Sequence, residues 1–567
     1  MRPDYAHFNS VALKTLSGGY LDEGIAPENL KAEAINRAEA LVDRAEELLG
    51  WKLPTLRHGM RRGWSSPASP IWSNFGKERG LPISCNGSVM ADSRSSILKK
   101  VAEIGEMSGR GAGTSLYMGN LRPFGASISS GGKSEGPVHF ARLVQEQVQV
   151  ISQSNVRRGN CAVYLDIEHD DIDRWMQMRS TTEGDHHAIQ HLSFGVVIGD
   201  EWMMDFLKEP KGGAKRLLLA KIVNKRKSTG FPYIIFRDAA NRDRHPRLVE
   251  LELEIKASNL CTEIMQHSTP DESFVCDLSS INLLYWDEFK NTDFIREMIY
   301  FLDAVMTEYI RKIRALEKTD PDAFWMMEAA LRHAERWRAL GLGTLGWHSY
   351  LQSKLIPIES DRASELNIEI HQRLAVESRA ASRYLALMHG EPEGLKGTGD
   401  RNVSVNALAP TQSSSVICGQ ASQSIEPWTA VVFVNDTAKV SFTQYNTGFV
   451  ELARSRGQDT PDMWQSVLQR GGKVDHLDWL TDLEKEVYKP WVDMDQKILT
   501  RQNADRQKFI DQGISFNVMM PATAKMKDDV ELIVYAWELG LKSLYYRRGV
   551  NKTQAAARVE ACVACEA

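Results

Sequence analysis

Short, largely apolar runs alternate along this chain with long segments of helical periodicity, and that alternation restricts the fold more than any other feature. The runs are CAVYLDI (161–167), LSFGVVI (192–198), YIIF (233–236) and VVFV (431–434). Each is far shorter than the roughly 20 residues of a membrane span, and each suits a buried strand. Before them, residues 28–49 (ENLKAEAINRAEALVDRAEELL) return apolar side chains at helical spacing, with Glu28 early and Gly50 as the stop. Residues 93–106 and 292–316 also read as helices, and 363–389 is a long alanine-rich helix closed by Gly390. Helices alternating with short apolar strands specify an α/β architecture. There is no internal repeat, and Gly, Ser and Lys make loops of 125–136 (GASISSGGKSEG) and 391–401.

The 567 residues would fill about three or four ordinary domains, although large α/β barrels reach such lengths as one. With 43% hydrophobic and 25% charged residues, the composition is that of a globular protein. The opening MRPDYAHFNSVALKTLSGGY lacks the apolar core of a secretion signal. A net charge of −5 leaves no basic footprint, so nucleic acid is not expected as the main partner. Seven cysteines, an odd number spread over the whole chain, do not form a secreted disulfide framework. They predict a reducing, cytoplasmic setting away from membranes.

One of these cysteines, Cys261, stands inside Asn259-Leu260-Cys261-Thr262-Glu263 (NLCTE). In an extended or looped segment, side chains at i, i+2 and i+4 project to one side. An amide, a thiol and a carboxylate would then face one substrate, as a sulfur-centred reagent, a proton acceptor and an orienting group. Free cysteines are more often small buried hydrophobes, and the pentapeptide by itself leaves both readings standing. Cys562 and Cys565 form Cys-x-x-Cys two residues from the C-terminus, in ACVACEA. No second pair lies nearby to complete the four ligands zinc needs, so thiol–disulfide exchange without a bound metal is expected.

NLCTE is followed by VCDLSSINL (275–283) and preceded by SSPASP (65–70), a pattern that resembles the large catalytic subunit of ribonucleotide reductases. ISC (83–85), RRG (157–159), ALGLGTLG (339–346), APTQSSS (409–415), SIEP (424–427) and LKSLYYRRG (541–549) occur in that family's order. The resemblance implies a ten-stranded α/β barrel of two five-stranded parallel halves, with Cys261 on a central finger loop. Residues 1–60 would be a short helical N-terminal region, 61–550 the catalytic barrel with specificity-effector loops, and 551–567 a flexible redox tail.

The resemblance also implies a reaction: thiyl-radical reduction of ribonucleotides, as diphosphates, to 2′-deoxyribonucleotides for DNA precursor synthesis. Cys261 would become the thiyl and take the 3′-hydrogen, after which the 2′-hydroxyl leaves as water. Glu263 would accept the 3′-hydroxyl proton and Asn259 would hold the ribose hydroxyls. Cys85 and Cys276 would supply two electrons and finish as a disulfide, which requires Cα atoms within roughly 7 Å. Cys562 and Cys565 would reduce that disulfide and pass it to thioredoxin or glutaredoxin. Cys161 and Cys418 match no motif and are expected in the core. Thr411, Ser413, Ser414 and Ser415 are expected to bind phosphate through hydroxyls and backbone N–H groups at a helix start, without a lysine. Ser66 and Ser84 match family positions that touch substrate, with Ser66 standing where threonine is usual.

For a nucleoside triphosphate specificity effector, the resemblance points to Asp92 and Ser93 at a helix start. GRGAGTSL (109–116) would be a flexible first loop with Arg122 beyond it, and Val156-Arg157-Arg158-Gly159 a second. The stretch before SSPASP is too short for the family's N-terminal ATP-binding activity domain. Tyr545-Tyr546 resembles the radical-relay pair of class I enzymes, which implies a separate radical-generating metallo-subunit, a homodimer of the catalytic chain and no covalently bound cofactor. Arg547-Arg548 and the close Cys562–Cys565 spacing depart from many class I chains, which keeps an adenosylcobalamin-dependent class II enzyme as the alternative. No glycyl-radical motif ends the chain. A non-catalytic nucleotide-binding homologue would need none of Asn259, Cys261, Glu263, Cys85 and Cys276.

Overall fold

The computed structural model describes residues 3–129, 131–151, 159–179, 189–436 and 441–549; Arg158, Cys562 and Cys565 lie outside them. The strands Cys85–Val89, Gly113–Tyr117, Cys161–Asp166, Ser193–Ile198 and Tyr233–Phe236 pair in that order, all parallel. Phe274–Asn282 runs antiparallel to Cys85–Val89 and parallel to Leu340–Leu345. Parallel bridges Leu342–Asn406 and Leu408–Ile514 carry this second half onward, and Val518–Met519 then pairs in parallel with Arg547–Arg548. Ser543–Leu544 meets Tyr233–Phe236 antiparallel and closes the ring. The result is a ten-stranded α/β barrel whose two parallel halves meet antiparallel at both seams. Its strands are buried on both faces, which is why they read as continuous apolar runs and not as an alternation.

Helix ends follow local chemistry. Leu30–Leu49 stops at Gly50, whose φ of 85° suits glycine. Ser93 accepts the Ser96 N–H at 3.2 Å and caps Arg94–Gly109. Asp361–His389 ends at Gly390, as its sequence predicts, and starts two residues earlier than that reading placed it, after the Ser360 cap. Among the described residues no helix is long and apolar enough to cross a membrane.

VVFV forms a strand, as its sequence predicts: among the described residues Val432–Asp436 pairs with Ser441–Tyr445, in a hairpin outside the ring. One expectation needs correction. GRGAGTSL is not a flexible loop throughout: Gly113–Tyr117 is a fully buried barrel strand, paired on both sides.

Residues 251–273 contain no helix or strand and run into the barrel as the finger loop. A buried loop must satisfy its own backbone. Ser515 Oγ donates to the Cys261 carbonyl at 2.6 Å, the Gly513 N–H to Glu263 O at 2.7 Å, and Ser543 Oγ to Thr262 O at 3.0 Å. The Tyr164 hydroxyl donates to Asn259 O at 2.5 Å, and Ser268 Oγ reaches Gly87 O at 3.0 Å. These bonds on every side hold Thr262 at φ 69°, a conformation that a β-branched residue seldom adopts.

The strand register makes a stability prediction. A Cβ added at Gly343 would lie 2.4 Å from the Ala407 carbonyl oxygen and 3.3 Å from Leu408 Cα, both backbone atoms of the neighbouring segment. Gly343→Ala should cost about 1–3 kcal/mol, read as a lower denaturation midpoint. An unchanged midpoint would contradict this close approach.

Candidate active site

The antiparallel seam sets Cys85 directly opposite Cys276. Facing residues in such a pair have Cα atoms about 4.5 or 5.5 Å apart, and both separations permit a disulfide. Both cysteines are buried thiols here. Cys85 lines the cleft described below, whereas Cys276 lies behind it, fully buried. Burial, reinforced by neighbouring Asp277, pushes the Cys276 thiol well above its usual range, so it is protonated at neutral pH. Gln512 Nε2 donates to Cys276 Sγ at 3.4 Å, while Gln512 Oε1 accepts from the Met265 N–H at 3.2 Å and Gln266 Nε2 at 3.0 Å. One amide therefore joins the redox pair to the finger loop.

The cleft spans about 620 Å³, the open solvent at its mouth included. Ser84, Cys85, Asn259, Cys261 and Glu263 line one end, and Ser69, Thr411, Gln412, Ser413 and Ser414 the other. Asn259 Oδ1 accepts the backbone N–H groups of Glu263 and Ile264, each at 3.1 Å, and its Nδ2 donates to Cys85 Sγ at 3.3 Å. Asn259 thus holds the NLCTE turn together and ties it to the first redox thiol. Glu263 Oε2 lies 3.0 Å from Ser515 Oγ, which shares its single proton between this carboxylate and the Cys261 carbonyl, and burial pushes the Glu263 carboxyl up to about 7. Such a group can take a proton and return it near neutral pH.

At the hydroxyl-rich end, Thr411 has φ 56° and precedes the helix Gln412–Ile417. Its Oγ1 accepts the Ser424 N–H at 2.7 Å. Ser413 accepts from the Tyr20 hydroxyl at 3.2 Å, and Ser414 Oγ is 3.4 Å from Pro67 O. Ser415 turns its hydroxyl back to Gln412 O at 2.9 Å and does not line the cleft. Ser66 is also set back from it: its Oγ accepts from Trp72 Nε1 and donates to Pro67 O, each at 3.2 Å. Among the described residues, no lysine or arginine lines this cleft.

Comparison with known proteins supplies the family. The family described as "Ribonucleotide reductase, barrel domain" matches residues 83–215, 209–398 and 392–547. The chain belongs to the ribonucleotide reductase family. The structure also matches an Actinobacillus ureae class Id ribonucleotide reductase alpha subunit, with a TM-score of 0.88 and 41% identity, covering 99% of this chain and 100% of that one. A ribonucleoside-diphosphate reductase large subunit of Invertebrate iridescent virus 3 is 28% identical, over 95% of this chain and 94% of its own. A vitamin B12-dependent ribonucleoside-diphosphate reductase of Mycobacterium tuberculosis is 27% identical, over 97% of this chain and 79% of its own. The reductase is accordingly an oxidoreductase of deoxyribonucleotide synthesis.

Elsewhere in the reductase, Tyr545 and Tyr546 are buried, with ring centroids 4.3 Å apart. Tyr233 joins them at 4.7 and 5.1 Å, and Phe231 packs on Tyr546 at 5.2 Å. Asp92 and Arg122 form an ion pair at 2.7 Å beside the Ser93 cap, away from the cleft. Cys161 and Cys418 are both buried, as expected of core residues. The sequence reading missed Gln512, Ser515, Tyr164, Tyr20 and Ser69. For Ser515 a signal was present, because Ile514, Phe516 and Val518 alternate with Ser515 and Asn517 and set the two polar residues on one face.

Mild oxidation of the purified reductase should link Cys85 to Cys276 and leave Cys161 and Cys418 reduced. Peptide mapping under non-reducing conditions checks this, and a mapped Cys85–Cys418 or Cys161–Cys276 bridge would contradict the register.

Proposed function

We propose that this chain reduces ribonucleoside diphosphates through a thiyl radical on Cys261, in partnership with a separate radical-generating subunit. The observation that carries the reading is the meeting of Cys261, Cys85 and Glu263 in one cleft, with Cys276 opposite Cys85. The Cys261 thiyl takes the 3′-hydrogen of the ribose. Glu263 accepts the 3′-hydroxyl proton, and one thiol of the Cys85–Cys276 pair gives the proton with which the 2′-hydroxyl leaves as water. The pair supplies its second proton and one electron to C2′ and a second electron to C3′, becoming a disulfide, while Glu263 returns its proton to the 3′-oxygen. Cys261 finally returns a hydrogen atom to C3′, which regenerates its radical. Asn259 orients the turn, and the hydroxyls of Ser84, Thr411, Ser413 and Ser414 hold the substrate, with its phosphates at the 411–414 end.

A chain of packed tyrosines favours the partner-dependent reading, since a radical made beside Cys261 needs no relay, and the class Id likeness points the same way. The B12-dependent relative supports adenosylcobalamin as the second reading. On the same proposal Asp92, Ser93, Arg122 and Arg158 bind a nucleoside triphosphate effector, and Cys562 and Cys565 carry reducing equivalents from thioredoxin or glutaredoxin. The catalytic chain would act as a homodimer.

Because Glu263 must be ionised to take a proton, kcat/KM should fall as pH drops below about 7, with the ascending limb at the carboxyl's raised value. Glu263→Gln should remove that limb along with most activity; a pH–rate profile without it would refute the role. To separate the classes, Tyr545→Phe and Tyr546→Phe are assayed with a small subunit and with adenosylcobalamin. The partner-dependent reading expects background turnover from both variants while nucleotide affinity persists. Full activity of both with adenosylcobalamin would establish the second reading, and Cys261→Ser should be inactive under either condition.

A further inference from the structure

We infer that Tyr20, in the N-terminal region, is a positioning residue for substrate phosphate binding. This inference rests on the proposed reading of 411–414 as the phosphate end of the cleft.

Tyr20 is 2% exposed, and its hydroxyl lies between two serines that both line the cleft. It is 2.9 Å from Ser69 Oγ and donates to Ser413 Oγ at 3.2 Å. Since the tyrosine's single proton goes to Ser413, the Ser69 contact runs with Ser69 as donor. The order is then Ser69 to Tyr20 to Ser413, and Ser413 keeps its own proton to donate towards a ligand in the cleft. Hydrogen bonds in a chain of one direction polarise each other, which strengthens the terminal donor. Among the described residues the cleft wall carries no lysine or arginine, so what that wall offers an anion is such donors.

The surrounding packing fixes the tyrosine in place. The helix Ser10–Ser17 packs against Gln412–Ile417, and the Tyr20 N–H bonds to Leu16 O at 3.0 Å. Gly419, just past that second helix, lies against His7: an added Cβ would be in ordinary contact with His7 Cβ, at 3.4 Å. The N-terminal region therefore serves as the support beneath the phosphate segment.

The test measures equilibrium binding of a ribonucleoside diphosphate and of the matching nucleoside to the full chain, with steady-state kinetics alongside. Tyr20→Phe should weaken diphosphate binding about five- to tenfold, the loss of roughly one hydrogen bond, and raise KM to match. Nucleoside affinity and kcat at saturation should stay within about twofold, because the ribose end is untouched. In a Ser413→Ala background the same change should cost almost nothing more, since the two residues act as one unit. Ser69→Ala cuts the chain at its other end and should give a smaller loss of the same kind, which serves if Tyr20→Phe folds poorly. Equal losses for both ligands, additive effects of Tyr20→Phe and Ser413→Ala, or no loss from either single variant would overturn the inference. A wild-type chain that binds the diphosphate no tighter than the nucleoside would instead remove the phosphate reading itself.

Discussion

The structure depends on satisfying the backbone of an irregular loop inside a barrel. A hydrogen bond made on folding contributes only about 1 kcal/mol net, but a buried group left unpaired costs about 1–3 kcal/mol. The finger loop can therefore stand inside the ring only where the wall supplies partners. Tyr164 reaches it from one half of the barrel, and Gly513, Ser515 and Ser543 from the other. Cys261 owes its place to these contacts, and no feature of the cysteine itself would fix it there.

Charge is distributed to suit that interior. Around the redox pair and NLCTE, burial raises the Cys276 thiol and the Glu263 carboxyl and so favours their neutral forms. Ion pairs stand in the supporting walls. Asp303 is held well below the carboxylate range by Arg338 and Arg401, against the upward push of burial. Lys100 and Glu103 share a buried network with Ser88 and Ser273, which joins the helix Arg94–Gly109 to the strands bearing Cys85 and Cys276. The walls hold their geometry through charge, while the cleft keeps groups able to gain or lose a proton or hydrogen atom.

Gly195 shows how packing creates a functional neighbourhood that no motif announces. It lies between Tyr164 and Tyr233 in the strand register, and a Cβ there would come within 2.4 Å of the Tyr164 ring. Its missing side chain lets the residue that holds the finger loop and the one that packs on Tyr545 and Tyr546 share a single row.

The sequence by itself determined the α/β alternation, because buried strands must be apolar and helices must carry a stripe. It also determined the helix ends at Gly50, Ser93 and Gly390, where backbone geometry or capping demands a residue type. NLCTE, ISC and VCDLSSINL brought the chemical groups into view, since their spacing is local. Only the tertiary structure decided that Cys85 faces Cys276 across a seam, because register between strands far apart in sequence is set by closure of the ring. It likewise decided that Ser66 and Ser415 turn away from the cleft, that Gly113–Tyr117 is a strand, and that Gln512 and Tyr20 brace the site. Those outcomes depend on which distant atoms compete for each hydroxyl, amide and strand edge, and that competition exists only once the barrel has closed.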